Sequence, residues 1–403
     1  MSASALLRPR PQHSPSDLLR AYLPGSFLYS SPRGSLLADG VHAVVASDRG
    51  SRASAAAEAL GDAAEAGHPD PILVGAIGFG PDAASSLVVP SVVRRAVSIA
   101  GQGPSDTLGP DAKLPAPDSW SVRHHPEMRD YTAAVERALE LIEEGPLRKV
   151  VLARCVELTG SRPVDLPRVL ERLACADPAA HAFAVDVSAP GDSATRTLFG
   201  ASPELLVSRR GDLVVSNPLA GSSPRAKNSA QDTQRAQALI RSEKDLREHA
   251  FVAEQVADVL RRYCVDVDVP AAPSVIGTAT MWHLSSRITG RLVDPSVSAL
   301  TLAEALHPTP AVCGVPLDEA RSAIADLERV DRGYYSGLVG WSAASGDGEW
   351  VVTIRSAEAY DRTLRLFAGA GVVRGSDPEA ELAETDAKLR TLLRALGTHD
   401  VLG

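Results

Sequence analysis

The feature of this sequence that most constrains its fold is a succession of apolar and β-branched runs with few helices between them. In the last hundred residues the runs SGLVGW, EWVVTIRSAEAY and TLRLFAGAGVV follow one another through short turns. Residues 196–221 also read as strands, joined by a hairpin at RRGD. Strands linked by turns pair antiparallel, whereas parallel strands need a crossover helix. The sequence therefore predicts an α+β fold with large, mainly antiparallel sheets flanked by helices.

Composition excludes several classes of function. The 403 residues carry a formal net charge of -9, so the chain lacks the basic footprint of a nucleic-acid-binding protein. The sequence has no run of about 18 apolar residues, and its first twenty residues contain no apolar signal-peptide core. We therefore expect a cytoplasmic protein. The four cysteines are scattered, without the short spacing of a zinc site or a disulfide framework.

The order of elements along the chain can be outlined from periodicity and turn residues. Strand-like stretches occur at 71–79 and 86–100, and the glycine- and proline-rich segment 101–120 is expected to be a surface loop or linker. Helical patterns follow at 128–145 and 242–263, and a closing helix is expected from about 377 to 396.

The closing helix carries two stripes. At 100° per residue, Glu381, Glu384 and Lys388 share one stripe, while Glu379 and Asp386 fall off it and read as solvated helix charges. The apolar stripe, which must face the core, consists of Leu382, Leu389, Leu393 and Leu396. One interpretation is a solvated acidic first turn that complements the helix dipole. The preceding AGAG segment favours a cleft instead, because glycine permits close approach of the backbone to a ligand.

Glu248 lies within the other long helix, among apolar residues. Taken alone it reads as an ordinary surface glutamate. Together with Glu381 and Glu384, it would supply hard oxygen ligands from a second helix, an arrangement that suits Mg²⁺.

Two further residues could perform proton transfer. Lys149 lies in the strand RKVVLARCVEL on an otherwise apolar face. It could extend to water at the strand end, or it could be buried, where the ammonium form is disfavoured and the amine becomes a usable base. Glu204 follows a proline turn and opens an apolar strand. It is either an ordinary strand-end glutamate or a general acid with a raised carboxyl pKa.

Two other residues suit the recognition of an anion. Arg355 interrupts a β-branched run, where its guanidinium needs a partner and fits bidentate binding of a carboxylate. Tyr335 could assist it, although a tyrosine near a turn more often serves packing.

Eight motifs, in their order along the chain, make the pattern more specific. They are KVVLAR, FGASPELL, NPLAGSSPR, SEKDLREHAFV, HPTPAVCGVP, DRGYYSGLVGW, TIRSA and AGAGVVRGSDPEAELAETDAKL. Together they resemble the chorismate-utilising enzymes, most closely the isochorismate synthases of siderophore pathways. The resemblance covers residues 125–398. It implies an anthranilate synthase component I-like fold in which residues 1–403 form a single catalytic domain, with 1–120 as its N-terminal part.

The resemblance also implies a reaction. Lys149 would activate water, and Glu204 would protonate the departing hydroxyl of chorismate, so that addition at C2 and loss of the C4 hydroxyl give isochorismate. Mg²⁺ would be held by Glu248, Glu381 and Glu384 and would orient the ring carboxylate.

Substrate-binding residues are implied in the same way. Arg355 and Tyr335 match residues that bind the enolpyruvyl carboxylate. The other implied substrate-binding positions are Ala220, Gly221, Ser222, His283, Thr309, Ala311, Gly369 and Lys388.

Some members of the family are disfavoured by single residues. Anthranilate synthases use ammonia and differ at the position of Lys149, and aminodeoxychorismate synthases carry a nucleophilic lysine at the position of Ala220. Ser222 stands where many relatives have threonine, a departure that keeps the hydroxyl. Salicylate synthases share the lysine, the acid and the metal ligands, and then eliminate pyruvate.

Other readings stay open at this level. A salicylate synthase is the alternative enzyme, and an inert relative that binds Mg²⁺ and an anion is an alternative of another class. A synthase component that needs an amidotransferase partner is a third. We expect a monomer that acts without such a partner, in either siderophore or menaquinone synthesis.

Overall fold

The computed structural model describes residues 13–45, 50–102, 117, 119–189, 191–398 and 401. Most of the predicted loop at 101–120 lies outside the described residues.

The described residues contain nine α-helices and a short 3-10 helix at Ile99–Gln102. The helices are α1 Pro15–Ala21, α2 Arg52–Glu65, α3 Met128–Glu144, α4 Leu166–Ala176, α5 Ser229–Leu239, α6 Glu243–Leu260, α7 Ala299–Leu306, α8 Leu317–Leu327 and α9 Pro378–Leu396. The predicted helices at 128–145, 242–263 and 377–396 correspond to α3, α6 and α9. Side-chain caps begin two of them: Ser242 accepts from the Asp245 N–H of α6, and Asp377 accepts from the Ala380 N–H of α9.

The strands of the described residues are β1 Phe27–Ser31, β2 Gly34–Asp39, β3 Ala43–Val44, β4 Ile72–Ile77, β5 Ser85–Val89, β6 Val92–Ala96, β7 Trp120–His125, β8 Lys149–Gly160, β9 His181–Asp186, β10 Arg196–Ser202 and β11 Leu205–Arg210. The later strands are β12 Leu213–Asn217, β13 Leu219–Pro224, β14 Cys264–Asp268, β15 Ser274–Gly277, β16 Met281–Ser285, β17 Ile288–Leu292, β18 Gly314–Val315, β19 Leu338–Ala343, β20 Gly348–Val352, β21 Ser356–Tyr360 and β22 Thr363–Val373.

These strands form two large sheets and a small one. The first sheet has the order β18-β8-β22-β21-β10-β9-β1-β2-β6, with β7 also paired to β8, and the second has the order β14-β17-β12-β11-β20-β19-β4-β5-β3. The small sheet is β13-β16-β15. Every pairing between described strands is antiparallel. The predicted α+β class with antiparallel sheets is confirmed.

The two large sheets pack against each other through one apolar core. Tyr29 and Val185 enter it from the first sheet, and Val74, Val339 and Val351 enter it from the second. Helices cover the outer faces, with α4 and α9 against the first sheet and α6 and α7 against the second. The apolar residues therefore sort into layers, as expected for sheets that are covered on both sides.

The closing helix α9 lies beside strand β22, half of which is paired on one edge only. Strand β8 pairs with β22 along Thr363–Val373, whereas β21 pairs only with Thr363–Leu366. Among the described strands, the second half of β22 thus has an open edge. Lys388 of α9 donates a hydrogen bond there to the Gly369 carbonyl, at 2.8 Å.

Two stretches that were each predicted as a single strand are divided into two strands in the structure. The stretch 86–100 divides at Pro90 into β5 of the second sheet and β6 of the first, because proline cannot donate to a strand ladder. The stretch 349–360 divides into β20 of the second sheet and β21 of the first, with Arg355 between them. Both are points where the chain crosses between sheets, which periodicity within one stretch does not reveal.

In the part of the chain that the structure describes, no helix has the length and apolar character needed to cross a membrane.

Candidate active site

On one face of the strand pair β8 and β22, the centre of β22 carries no side chains. Lys149 lies on this face of β8, and Gly369 and Gly371 lie on the same face of β22. A Cβ atom at Gly371 would lie 2.5 Å from Glu248 Oε1, and one at Gly369 would lie 3.1 Å from the Tyr335 hydroxyl. The AGAG segment thus gives glycine at two positions where a side chain would collide with polar groups of the site.

Lys149 is fully buried at the first position of β8. Its side chain does not extend to water, so the interpretation as a solvated strand-end lysine was wrong. Its Nζ atom lies 2.9 Å from Glu248 Oε1 of α6, at ion-pair distance. Among the described residues, however, Nζ has no acceptor with hydrogen-bond alignment. The amine therefore keeps a direction free for another partner.

Two neighbouring crossovers between the sheets position Glu204 and Arg355. Strand β10 continues through Pro203 and Glu204 into β11, and β20 continues through Arg355 into β21. Hydrogen bonds of 3.2 Å join the crossovers, from Val352 N to Glu204 O and from Ala201 N to Arg355 O. Arg355 has a φ of 52°, a left-handed conformation that persists only where the surroundings determine it. Both side chains therefore project from one rigid junction.

Glu204 is buried, with 2 % of its surface exposed. Burial raises its pKa to about 7, although the Leu219 backbone and the cations of Lys149 and Arg355 act in the opposite direction. Its Oε1 atom has no hydrogen-bond partner among the described residues. A carboxyl group that holds its proton near neutral pH and has a free oxygen suits proton donation to a ligand.

A chain of hydrogen bonds connects Arg355 to strand β13. Its Nη2 donates to His283 Nε2 at 3.3 Å, and His283 Nδ1 lies 2.8 Å from Ser222 Oγ. Burial and the charges of Arg355 and Lys388 hold the His283 pKa well below its ordinary value, so the ring is neutral. Because Nε2 accepts from arginine, the ring proton is assigned to Nδ1, which donates to Ser222. His283 thus orients the Arg355 guanidinium.

The segment Ala220–Ser222 lies against α6 through a β-bulge. Gly221 has a φ of 77°, and a Cβ atom there would lie 3.0 Å from Cβ of Asp245. His249 of α6 fixes the segment, with Nδ1 3.2 Å from the Ala220 carbonyl. The glycine is required both by its backbone conformation and by the approach of the helix.

Tyr335 is buried and stacks on Phe367 of β22, with ring centroids 5.3 Å apart. Burial raises its pKa, so the hydroxyl stays protonated and can donate a hydrogen bond. The contact noted at Gly369 places that hydroxyl at the cleared face of β22.

The three predicted metal ligands each face a lysine. Glu248 pairs with Lys149 as described, Glu381 Oε1 lies 2.7 Å from Lys244 Nζ, and Glu384 Oε1 lies 2.6 Å from Lys388 Nζ. We call these three contacts the site pairs. The predicted stripe of Glu381, Glu384 and Lys388 therefore faces Lys244 and the Gly369 carbonyl, and its facing a cleft stays a prediction.

The carboxylates of the site pairs influence one another. Burial and the neighbouring charge of Glu384 raise the Glu381 pKa, against the effect of Lys244. Burial alone would raise the Glu248 pKa, but the pairing with Lys149 outweighs it, and the pKa is lowered. Burial opposes the charged form of Lys244, yet all three carboxylates act on its ammonium and raise its pKa. The glutamates and lysines thus form one interacting set of charges.

In their present side-chain positions the glutamates do not make a metal-binding set. Among the described residues, no group of three or more His, Cys, Asp or Glu side chains is arranged to hold an ion. The donor types do fit Mg²⁺, which prefers carboxylate oxygens. The ammonium of Lys244, under the influence of all three carboxylates, also shows that a cation is stable beside them.

Two predicted substrate-binding residues belong to a loop that carries none of the others. Thr309 and Ala311 lie in the loop between α7 and β18. Thr309 is buried, and its carbonyl accepts from the Val312 and Cys313 N–H groups. Their binding roles stay predictions.

The sequence analysis missed Lys244 and His249 and misjudged Asp386. The first two lie within SEKDLREHAFV, on either side of Glu248, but their partners Glu381 and Ala220 are distant in the chain. Asp386 is no solvated helix charge, because it pairs with the fully buried guanidinium of Arg154. A buried arginine in KVVLAR was the signal that an acidic partner was needed.

A cavity of about 340 Å³ reaches the site from the side of α4 and α9. Its lining includes Arg355, Pro203, Thr280 and Thr391. It therefore connects the junction that carries Glu204 and Arg355 with the space outside the sheets.

Comparison with known proteins places these features in a family. Residues 105–397 match the family model described as "Chorismate binding enzyme". Isochorismate synthase DhbC of Bacillus subtilis (strain 168) is 49% identical over 390 residues, which cover 95% of this chain and 96% of that protein.

Two solved structures share the fold. A crystal structure named for a 2,3-dihydroxybenzoate-specific isochorismate synthase, DhbC of Bacillus anthracis, has a TM-score of 0.89 at 43% identity, covering 95% of this chain and 99% of the other. MenF, the menaquinone-specific isochorismate synthase of Escherichia coli, has a TM-score of 0.78 at 26% identity, covering 96% and 91%. The extent of the family match and the identity to the B. subtilis relative over nearly the whole chain show that this chain belongs to the chorismate-binding enzyme family.

Proposed function

We propose that this protein is an isochorismate synthase, which converts chorismate to isochorismate by adding water at C2 with loss of the C4 hydroxyl. The similarity to isochorismate synthases over nearly the whole chain supports this assignment. The observation that carries it is that the site holds both a buried lysine, Lys149, and a buried carboxyl group, Glu204, whose pKa is about 7. The addition of water needs a base, and the departure of the C4 hydroxyl needs an acid.

Glu204 is the proposed acid. Near neutral pH a large fraction of its carboxyl groups carry the proton, and Oε1 is free of protein partners among the described residues. Transfer of this proton to the C4 hydroxyl lets the hydroxyl leave as water, which is a far better leaving group than hydroxide.

Lys149 is the proposed base. Its Nζ accepts a proton from the attacking water while the water oxygen bonds to C2 and the ring double bonds shift as the C4–O bond breaks. In the present arrangement the group is one half of an ion pair with Glu248, which favours its charged form, and the charged form cannot accept a proton. Release of Glu248 from Lys149 is therefore part of the proposal.

Substrate binding is assigned to the groups around these two residues. Arg355, held by His283, offers a guanidinium that can pair with the enolpyruvyl carboxylate, and the protonated Tyr335 hydroxyl can donate a second hydrogen bond. Gly369 and Gly221 leave room for the ring beside the backbone.

We propose Mg²⁺ as the cofactor, with Glu248, Glu381 and Glu384 as its ligands. When bound, the ion would supply positive charge for the ring carboxylate of chorismate. The oxygen-donor set supports this choice over a transition metal. To bind the ion, each of the three glutamates must move away from its lysine partner.

Further parts of the proposal concern the setting of the reaction. Ala220 in place of a lysine nucleophile argues against covalent capture of the substrate, and we propose that the chain acts without an amidotransferase. A monomeric state, a cytoplasmic location and a single catalytic domain over residues 1–403 belong to the same proposal. The similarity to the two DhbC proteins supports supply of a 2,3-dihydroxybenzoate siderophore pathway, with menaquinone synthesis as the alternative.

A product assay tests the function. The purified protein with chorismate and Mg²⁺, in buffer free of ammonia, is expected to form isochorismate without releasing pyruvate or salicylate. Equimolar pyruvate with salicylate fluorescence would instead assign a salicylate synthase. No turnover would support an inert binding protein, and product that appears only on addition of ammonia would indicate an amidotransferase-dependent synthase.

A further inference from the structure

Lys244 occupies a position that helix stability does not explain. It lies in the first turn of α6, directly after Glu243, where the helix dipole favours acidic side chains and disfavours cations. It precedes Glu248 by four residues, so the two side chains leave the same face of the helix. The direct contact of its ammonium is made with a group outside α6.

That group is Glu381 of α9. Lys244 Nζ lies 2.7 Å from Glu381 Oε1 and donates a hydrogen bond to it. The Glu381 side chain is only 2 % exposed, and a carboxylate so thoroughly desolvated needs a cation. Glu248 and Glu384 also act on the same ammonium. Lys244 therefore supplies the positive charge among three carboxylates that the proposed function assigns to a metal.

The three lysines of the site pairs differ in how easily their ammonium groups can move away from their glutamate partners. Lys149 is fully buried, and Lys388 is tied to the Gly369 carbonyl as well as to Glu384. Lys244 has 34 % of its side chain exposed. Its flexible four-carbon stem can carry the ammonium to water without crossing the protein interior.

We propose that Lys244 is a built-in counter-cation that neutralises Glu381 in the metal-free protein and is displaced into solvent when Mg²⁺ binds. This inference rests on the proposed function, because it takes Mg²⁺ as the ion of the site. Lys244 competes with the ion for a shared carboxylate. It thereby weakens the binding of Mg²⁺ alone and keeps the metal-free site folded.

Calorimetric titration of the metal-free, full-length protein with Mg²⁺ alone tests the competition. Lys244→Gln is expected to bind Mg²⁺ about tenfold more tightly than the parent protein, since a charge-assisted hydrogen bond no longer has to be broken. Arg247→Gln removes the same charge from an exposed position of the same helix and is expected to leave the affinity within about twofold. Lys244→Arg keeps the charge and is expected to bind no more tightly than the parent protein.

Thermal unfolding gives a second readout. Without metal, Lys244→Gln is expected to unfold at a lower temperature than the parent protein, because Glu381 loses its counter-ion. Saturating Mg²⁺ should remove that difference. A difference that persists with saturating Mg²⁺ would overturn the displacement.

Acetylation of the unmodified parent sequence keeps the inference testable even if Lys244→Gln fails to fold. Mass spectrometry after brief treatment with acetic anhydride is expected to show that Mg²⁺ increases labelling of Lys244 several-fold relative to the exposed Lys227. Unchanged or reduced labelling would contradict displacement into solvent.

The outcomes separate this inference from the function it rests on. If the parent protein binds Mg²⁺ and requires it for isochorismate formation, but Lys244→Gln binds it equally or more weakly, Lys244 positions Glu381 for the ion and only the displacement is overturned. If the parent protein makes isochorismate with no Mg²⁺ binding, the proposed cofactor and this inference both fail.

Discussion

The ion pairs of the candidate site and the buried ion pairs of Arg332 and Arg154 are built from different cations. The site pairs use lysines, each of which meets a glutamate through a single ammonium group. At Arg332 and Arg154 the buried cation is instead an arginine whose several donors are shared among more than one partner. We call the contacts of Arg332 and Arg154 the arginine clamps.

The Arg332 clamp shows the contrast. Its guanidinium contacts Glu328 through Nε at 2.8 Å and through Nη2, and it donates to the carbonyls of Val312 and Val151, each at 2.7 Å. The side chain also lies 4.3 Å above the Phe79 ring. Such a clamp satisfies most donors at once and has no single contact that can be exchanged.

The Arg154 clamp does the same for the closing helix. It bonds Thr385 Oγ1 at 2.7 Å and pairs with Asp386, so that β8 and α9 are joined beside the site. The comparison indicates that arginine fixes elements of the fold, whereas lysine stands at the contacts that the proposed function requires to change. Four predictions test that division.

The largest effect is expected at the proposed catalytic lysine and acid. Lys149→Ala and Glu204→Gln should each reduce the rate of isochorismate formation by about 10²- to 10⁴-fold, the usual contribution of a positioned acid or base. Circular dichroism should show a retained fold, and calorimetry retained Mg²⁺ binding. Lys227→Ala serves as the control, since that lysine is exposed. Near-normal turnover in either variant would refute the assigned roles.

Breaking an arginine clamp should lower the free energy of unfolding rather than impair a chemical step. Arg332→Met leaves Glu328 buried without its cation and is expected to lower the free energy of unfolding by about 3–5 kcal/mol in urea titrations. Arg321→Met, at a half-buried position of α8, removes an ion pair with the solvated Asp318 and should cost less than about 1 kcal/mol. Similar losses in the two variants would contradict the special role of the clamp.

The ionisation of buried Glu204 should lower the free energy of unfolding as the pH rises. Its pKa is about 7 in the folded protein, against an ordinary value of 4.5. The folded state therefore holds the proton more tightly, and the stabilisation is complete below pH 4.5 and is lost as pH rises through about 7. Urea titrations should show that the parent protein loses up to about 3 kcal/mol relative to Glu204→Gln between pH 4.5 and 8. A difference that is constant with pH would contradict the raised pKa.

The smallest effect is expected at the exposed end of a clamp. Asp386→Asn keeps a hydrogen-bond acceptor for Arg154 but removes the charge, and it should cost about 1 kcal/mol of unfolding free energy. Glu379→Gln, on the same helix but exposed, should change it by less than about 0.5 kcal/mol. Equal effects at the two positions would restore the interpretation of Asp386 as a solvated helix charge.

Much of the fold could be predicted because its signals are local. Turn residues between apolar runs indicated antiparallel strands, and a period of 3.6 placed Glu381 and Lys388 on one stripe of α9. The crossovers at Pro90 and Arg355 were not predicted, because nothing within each apolar run indicates that its two halves belong to different sheets.

The candidate site was predicted in part for the same reason. Lys149, Glu204 and Glu248 stood out as charges within apolar segments. Lys244 did not, because a lysine in the first turn of a helix looks solvated until its partner, Glu381, is placed beside it by the fold. Asp386 was misjudged in the same way, since Arg154 comes from a distant strand.

The central claim is that water, activated by Lys149, adds to chorismate as the hydroxyl protonated by Glu204 departs. Single-turnover conversion of chorismate in H₂¹⁸O, followed by mass spectrometry of the product, tests it directly. Water addition should give isochorismate that carries one ¹⁸O atom in its ring hydroxyl. Unlabelled isochorismate would show that the hydroxyl migrates within the substrate, and it would contradict water addition and with it the role of Lys149.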